Sequence, residues 1–308
     1  MIFWKTLALA AATLLAFGAC GKKLPESDAA VTPAPPASAS GPALWKTGDA
    51  DTTIYLFGTV HVLPPTVEWR KPPVDKALAE AKAIYFETDI DPDPAKIQAF
   101  ITQYGLYTPP EKLSDHLTAE DKAALVKASG DLAIPMFMLD TMRPWLAALT
   151  LSEQIIVKAG YDPASGVERK LQPDAIAAGK EIRKLETVEA QLLTFADLPE
   201  KVQVSYLMQG VSEIGQESEL LTKLVNAWAS GDVETINAIM IEGDLADLPE
   251  VNAALLVGRN RNWVETLDKL VREEPGTFFV AVGAGHLAGK DSVVAMMTAK
   301  GYTVARVE

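Results

Sequence analysis

Ile54-Tyr55-Leu56-Phe57-Gly58-Thr59-Val60-His61 is the stretch whose reading decides the fold: an apolar run leads directly into Gly-x-x-His. The pattern returns near the other end as Phe278-Phe279-Val280-Ala281-Val282-Gly283-Ala284-Gly285-His286. A glycine lets the backbone turn sharply after a strand. A histidine three residues on then stands at the strand's C-terminal edge, where open α/β sheets place their ligand sites. The chain has three histidines, and two of them occupy this one context. Delivered from both ends of the sequence, they point to one shared site. The plainer alternative is that both glycines end strands and both histidines cap helices.

Outward from His61, Pro72-Pro73 open a helix, where proline is tolerated. Val74, Ala77, Leu78 and Ala81 then give it one buried face. Ala83-Ile84-Tyr85-Phe86 reads as a second strand, ending in Glu87-Thr88-Asp89. Strand–helix–strand order suggests parallel strands, and His61 and Glu87 then follow strands that can be neighbours, at the same edge of the sheet. The middle reads as helical. Thr118 through Asp121 resembles a capping box, Met136 to Ile156 is amphipathic with an interruption at Pro144, and Gly166 to Ala178 is a helix closed by Gly179. Glu181 to Leu185 reads as a short strand, and Thr187 can cap the helix after it. The C-terminus returns to strand–helix–strand: Thr277 to Val282, a helix near Asp291 to Lys300, then Tyr302 to Val307. The expected fold is α/β, with a mostly parallel central sheet built from both termini and a large helical insertion roofing one edge.

The first residues read as an export signal, residues 1–19, with Lys5 as the positive region and Thr6 to Phe17 as an apolar stretch too short to span a membrane. It ends in Phe17-Gly18-Ala19-Cys20, which resembles a bacterial lipoprotein cleavage box. Cys20 is the only cysteine, so no intramolecular disulfide can form, and lipidation at Cys20 is expected. Gly21 rather than Asp follows it, and the resemblance to lipoproteins then implies the outer membrane, facing the periplasm. Residues 20–43 hold Pro25, Pro33, Pro35, Pro36 and Pro42 among many Ala and Ser, the composition of a semi-rigid tether. Residues 44–308 form the folded region, long enough to bury one large core. The formal charge of −13 becomes one unit more negative once Lys5 is removed. That balance argues against nucleic acid as a partner and favours local enrichment of cations. A membrane contact is expected through the lipid anchor alone.

His61, Glu87 and His286 are a chemically coherent set. Two neutral imidazoles and a carboxylate suit a divalent ion such as Zn²⁺, Mn²⁺ or Co²⁺ with one position left for water. Such an ion lowers the pKa of its water and polarises a carbonyl. Glu87 is then a ligand or, alternatively, the general base. Arg143 is a candidate for holding a carboxylate or stabilising an oxyanion, aimed inward by a helix distortion at Pro144, with a structural ion pair as the alternative. Arg259 is a similar candidate, although Arg259-Asn260-Arg261-Asn262 also reads as a solvated helix face. Glu168 and Glu186 read as structural, through helix-terminus hydrogen bonds. His116 reads as an exposed loop residue, and Trp145, Trp228 and Trp263 as core.

These elements together resemble the TraB/GumN (TraB/PrgY/GumN) family. The resemblance rests on Phe57-Gly58-Thr59-Val60-His61-Val62-Leu63-Pro64, Glu87, Arg143-Pro144-Trp145, Gly166-Val167-Glu168 and Gly179-Lys180 through Leu185-Glu186-Thr187. Arg259-Asn260 with Trp263, and Gly283-Ala284-Gly285-His286, complete it. The family is similar to the Tiki proteins, membrane-tethered metalloproteases, and more distantly to the erythromycin esterases. The resemblance implies a shared α/β fold and a site built from the two Gly-x-x-His motifs and the glutamate. The expected function is a metal-dependent hydrolase at the cell envelope that cleaves peptide-like amide bonds, with a peptide or small molecule as partner. Two alternatives stay open: a lipoprotein that sequesters a peptide or small ligand without turnover, and a metal-free hydrolase in which His61 or His286 is the general base with Glu87.

Overall fold

The computed structural model describes residues 41–308 apart from Gln216. The export signal and Cys20 lie outside the described residues, as does most of the tether. Residues 41–43, expected within the tether, are instead packed. Ala43 is buried and its carbonyl accepts the Gly58 N–H at 3.4 Å.

Six strands form one mixed sheet: β1 (Leu44–Gly48), β2 (Thr52–Thr59), β3 (Ala83–Phe86), β4 (Glu181–Lys184), β5 (Gly276–Gly283) and β6 (Ala305–Arg306). Their spatial order is β4-β3-β5-β2-β1-β6. The pairs β4/β3, β3/β5 and β5/β2 are parallel, whereas β1 is antiparallel to both β2 and β6. The α/β class is as expected, and the antiparallel flank makes the sheet mixed.

One expectation is corrected here. β2 and β3 are not neighbours, because the C-terminal strand β5 inserts between them. β2 pairs with β5 along its whole length, from Thr52↔Gly276 to Thr59↔Gly283. On the other flank Phe86 of β3 pairs with Ala281. β2 and β5 therefore end level and β3 stops opposite Ala281, just short of them, so the residues that follow all three leave the sheet at one edge.

The central strands are buried on both faces, as parallel strands covered by helices are. Tyr55, Phe57, Ile84, Phe86 and Phe279 pack on one side with the Pro72–Glu80, Val167–Ala177 and Glu217–Ser230 helices. Ile54, Leu56, Ala83, Tyr85, Phe278 and Val280 face the other, against the Arg259–Glu273 and Val293–Ala299 helices. The period-2 alternation of side chains along each strand produces this split. A third apolar cluster, around Trp145, Phe195 and Tyr206, belongs to the helical insertion.

Local signals behave as their chemistry dictates. Thr118 and Thr187 accept the backbone N–H groups of Asp121 and Ala190, each at 3.1 Å, and so cap their helices. Gly179 adopts φ +67° just past the end of the Val167–Ala177 helix. Pro144 does not distort a helix from within. It is the first residue of the Pro144–Lys158 helix, and Arg143 is the extended residue before it.

Candidate active site

The sheet edge brings together His61, Glu87 and His286 and adds to them residues that the sequence reading had placed elsewhere. Glu87 follows β3 directly and is 6% exposed. Its Oε1 accepts the Gly283 N–H at 2.7 Å, across from the neighbouring β5, which runs past the end of β3. Its Oε2 accepts from Arg259 Nη2 at 2.6 Å and from Gln191 Nε2 at 3.1 Å. Burial opposes the Glu87 charge, but Arg259 above all, with His286, His61 and the Gly283 N–H, brings its pKa down to about 2. Glu87 is therefore a buried carboxylate that stays ionised.

Arg259 occupies the first turn of its helix, 7% exposed. Besides Glu87, it donates from Nε to Glu186 Oε1 at 2.8 Å, from Nη2 to the same oxygen, and from Nη1 to the Leu255 carbonyl at 3.2 Å. Its guanidinium carbon stands 4.6 Å from the centre of the Trp263 ring. The remaining contact is Nη1 to His286 Nε2 at 3.1 Å. The planar fork of donors is thus fully engaged, in the geometry for which arginine and not lysine is suited. Burial outweighs Arg259 at Glu186, whose pKa is raised.

His286 is fixed in one tautomer. Asn260 Nδ2 donates to the Asp291 carbonyl at 2.8 Å, so the Asn260 Oδ1 faces His286 Nδ1, 2.6 Å away. The proton is then on Nδ1, and Nε2 presents its lone pair to Arg259. Burial, then the Arg259 charge, lowers the His286 pKa to about 3, so the ring is neutral. Its Nε2 is 3.8 Å from Glu87 Oε1.

His61 is held by a different partner. Gly166 approaches it so closely that a Cβ at Gly166 would stand 2.2 Å from the His61 carbonyl oxygen, and Val167 N–H donates to the Val60 carbonyl at 3.0 Å. This docking delivers Glu168, whose Oε1 is 2.8 Å from His61 Nδ1 and also accepts the Thr59 hydroxyl. The Nδ1 proton therefore points at a carboxylate, and among the described residues the buried His61 Nε2 has no hydrogen-bond partner. Burial pushes the His61 pKa down, but the Glu168 charge and hydrogen bond prevail and hold it above the ordinary histidine value. The charges of Glu87 and Arg259 also act on His61, and that of His61 acts on His286.

Three expectations are corrected by these contacts. Glu168 and Glu186 are not helix-terminus hydrogen-bond groups but the partners of His61 and Arg259. His116 is not a free loop residue. It stacks on Tyr107 with ring centres 4.8 Å apart and lies 2.9 Å from Glu200 and 3.1 Å from Glu111. Arg143 belongs to that second cluster. Its guanidinium carbon is 5.1 Å from the Tyr107 ring centre, and Nη1 is 3.8 Å from Glu200 Oε1. The cluster lies in the helical insertion, and the contacts of Arg143 include none of His61, Glu87 or His286.

A divalent ion finds its donors only in part. Both imidazoles carry the proton on Nδ1 and turn Nε2 inward, the tautomer of a metal-binding histidine whose other nitrogen is hydrogen-bonded. Yet Arg259 covers His286 Nε2 and Glu87 Oε2, and a guanidinium repels a cation at that point. Among the described residues, no three His, Cys, Asp or Glu side chains gather as a ligand group. The arrangement as it stands does not fit a resident metal.

The pKa shifts fix a pH dependence. The unfolded chain protonates its histidine near pH 6.5, whereas folded His286 resists down to about 3. Unfolding therefore takes up this proton, and the stability tied to His286 is lost as pH falls below about 6.5. Glu87 adds a loss as pH falls from 4.5 toward about 2. His61, shifted upward, acts in the opposite sense: its contribution is complete below about 6.5 and is lost as pH rises through its folded-state value. In urea titrations of metal-free protein, the wild type is expected to lose more stability between about pH 6.5 and about 4.5 than His286→Asn does. Parallel slopes in the two proteins would contradict the tautomer and burial assigned to His286.

An α/β sheet whose parallel strand ends carry a His–Glu–Arg–His centre, with Glu87, Arg259 and His286 buried and His61 half-buried, defines the class. The chain belongs to the TraB/PrgY/gumN family, whose sequence model matches residues 43–306. It is similar to Uncharacterized protein YbaP of Escherichia coli (strain K12), 23% identical over 83% of this chain and 92% of that protein. It is also similar to Metalloprotease TIKI1 of Danio rerio, 26% identical over 85% of this chain and 62% of that protein. The Metalloprotease TIKI homolog of Amphimedon queenslandica is 33% identical over 25% of this chain and 13% of that protein. No solved structure is significantly similar to the chain.

Proposed function

We propose that this chain is a hydrolase acting on peptide-like amide bonds, with His61 as general base. The observation that carries the reading is the His61 ring: Nδ1 against Glu168, and a buried Nε2 with no hydrogen-bond partner among the described residues. An imidazole so held is a positioned base with one lone pair to offer. In the proposed reaction His61 Nε2 takes a proton from water as its oxygen bonds to the substrate carbonyl carbon. The Nδ1–H directed at Glu168, and the ionised Glu87, stabilise the imidazolium that forms. The tetrahedral intermediate collapses by breaking the carbon–nitrogen bond, and His61 returns the proton to the leaving amine. Arg259 and Asn260 are positioning residues, the first holding Glu87 ionised and the second fixing His286. The similarity to Metalloprotease TIKI1 supports amide bonds as the substrate class.

A second reading, metal-dependent hydrolysis with Zn²⁺, Mn²⁺ or Co²⁺ at His61, His286 and Glu87, is favoured by the two inward-facing Nε2 atoms and by the name of that relative. It requires Arg259 to release His286 and Glu87. We also read the protein as exported and lipidated at Cys20, on the strength of the segment from Lys5 to Cys20. A mature mass that begins elsewhere or lacks acyl chains would reject that.

One experiment separates the readings. The protein is purified with and without chelator, its metal content is measured, and each preparation is offered a peptide library. Turnover that survives chelation supports the His61 base. Turnover lost on chelation and restored by Mn²⁺ moves the function to the second reading. Binding without turnover in either preparation leaves a sequestering protein.

A further inference from the structure

The loop that follows His286 borders a second cavity, on the Asn260 side of the imidazole. His286 Nε2 meets Arg259, whereas Nδ1 meets Asn260, and Asn260 lines this cavity together with Gly285, Lys290 and Asp291. The rest of the lining comes from the helical turns Met240–Asp244, Pro249–Asn252 and Ala253–Gly258, with Asn237. The cavity measures about 150 Å³, roughly ten times what a single water needs. The loop is docked closely: Gly289 has φ +79°, and a Cβ there would stand 2.2 Å from Asn237 Oδ1.

The lining divides by depth. Leu256 and Ala288 are buried and Val257 is half-buried, whereas Lys290 is exposed with the half-buried Asp291 beside it. Carbon therefore lines the deeper part, and the charged groups stand nearer solvent. Lys290 and Asp291 are adjacent in the chain and opposite in sign, yet among the described residues neither side chain makes a hydrogen bond or an ion pair. Glu242 adds a second anion at the wall, with Oε1 accepting from the Asn237 amide at 2.9 Å. Asn260 is already engaged, through Nδ2 with the Asp291 carbonyl and through Oδ1 with His286.

We infer that this cavity binds a small α-amino acid, with its carboxylate on Lys290, its ammonium on Asp291 and Glu242, and its short apolar side chain against Leu256 and Val257. A neutral polyol leaves the charges unanswered, and a simple anion or cation answers one sign only. Hydrogen bonds to ionised groups are the stronger kind, so a zwitterion gains most from this lining. The site is distinct from the one around His61 and Glu87, and its occupancy does not depend on the hydrolase reading. The Asp291 carbonyl orients Asn260, and Asn260 holds His286, so a ligand seated on Asp291 is felt at the His286 ring.

The test is equilibrium dialysis of the protein with labelled L-alanine, glycerol, acetate and methylammonium, while the ring resonances of the three histidines are followed. Alanine is expected to bind saturably, and the other three probes at least about tenfold more weakly. Lys290→Gln and Asp291→Asn are each expected to keep the wild-type thermal melt and to weaken alanine by about tenfold or more, the worth of one hydrogen bond to a charged group. The His286 signals are expected to move with bound alanine, and those of His116 to stay. No saturable binding of alanine, glycerol binding as well as alanine, or an unchanged alanine affinity in either variant overturns the site. Alanine that moves the His61 signals and not those of His286 sits in the other centre and overturns it as well. No turnover is read, so failure of this site leaves the hydrolase reading standing, and failure of that reading leaves this site standing.

Discussion

Replacing Arg259 with methionine is expected to destabilise the protein by roughly 3–5 kcal/mol at neutral pH, the cost of leaving buried charges without their partner. Methionine keeps much of the length and the packing on Trp263, so the loss isolates the charge. Two carboxylates, the buried Glu87 and the half-buried Glu186, share this one guanidinium. Without it each raises the cost of ionising the other. Their folded-state pKa values then rise above the unfolded ones, so the loss grows as pH increases and shrinks toward pH ~4.5, where protonation relieves it. Adding Glu87→Gln to the variant is expected to recover part of the stability. Arg259→Lys is expected to fall between wild type and methionine, because an ammonium offers no planar fork. Denaturant unfolding across pH checks all three. A loss below about 1 kcal/mol at neutral pH, the range of exposed ion pairs, would show that the guanidinium is not the hub of the site.

The second large effect is on turnover. His61→Gln is expected to lower kcat by roughly 100- to 10,000-fold, the usual contribution of a general base, with little change in the unfolding midpoint. Glutamine keeps a polar group near Glu168 but supplies no base. The fold should tolerate the change, since β2 ends at Thr59 and its pairing with β5 is complete before His61. Single-turnover kinetics on the peptide cleaved by the wild type, together with a thermal melt, separate the two effects. Undiminished kcat in a folded His61→Gln protein would remove His61 from the chemistry.

The strands that build the site were readable from local pattern. Apolar runs closed by glycine marked β2 and β5, and the apolar-to-acidic step at Phe86-Glu87 marked the end of β3. The order of those strands was not readable in the same way. Parallel pairing between Thr52–Thr59 and Gly276–Gly283 is a contact across more than two hundred residues, and nothing near His61 says that β5 will enter between its neighbours. Arg259 and Asn260 carry a periodic signal. Trp263 and Val264 open the buried face of their helix, and one turn back from them, at i−4, stand Arg259 and Asn260. Arg261 and Asn262 fall on the exposed face. Glu168 had no such periodic signal, only its place in the Gly166-Val167-Glu168 segment of the family resemblance. It reaches His61 because Gly166 lets two segments touch, and a close approach between distant backbones leaves little trace in either sequence. Arg143 was drawn toward the site by the idea of a proline kink, but Pro144 starts a helix and Arg143 stays with Tyr107 and Glu200.

The most direct test of His61 as the base is the pH dependence of kcat/KM for chelator-treated protein on its cleaved peptide, in wild type and in Glu168→Gln. A base must be unprotonated to act, so activity should rise with pH through the His61 value, which Glu168 holds above the ordinary ~6.5. Removing the Glu168 charge should move that rise to lower pH while lowering the plateau. A rise in the same place in both proteins, or no turnover by the wild type once metal is removed, would contradict a reaction run by His61 and Glu168.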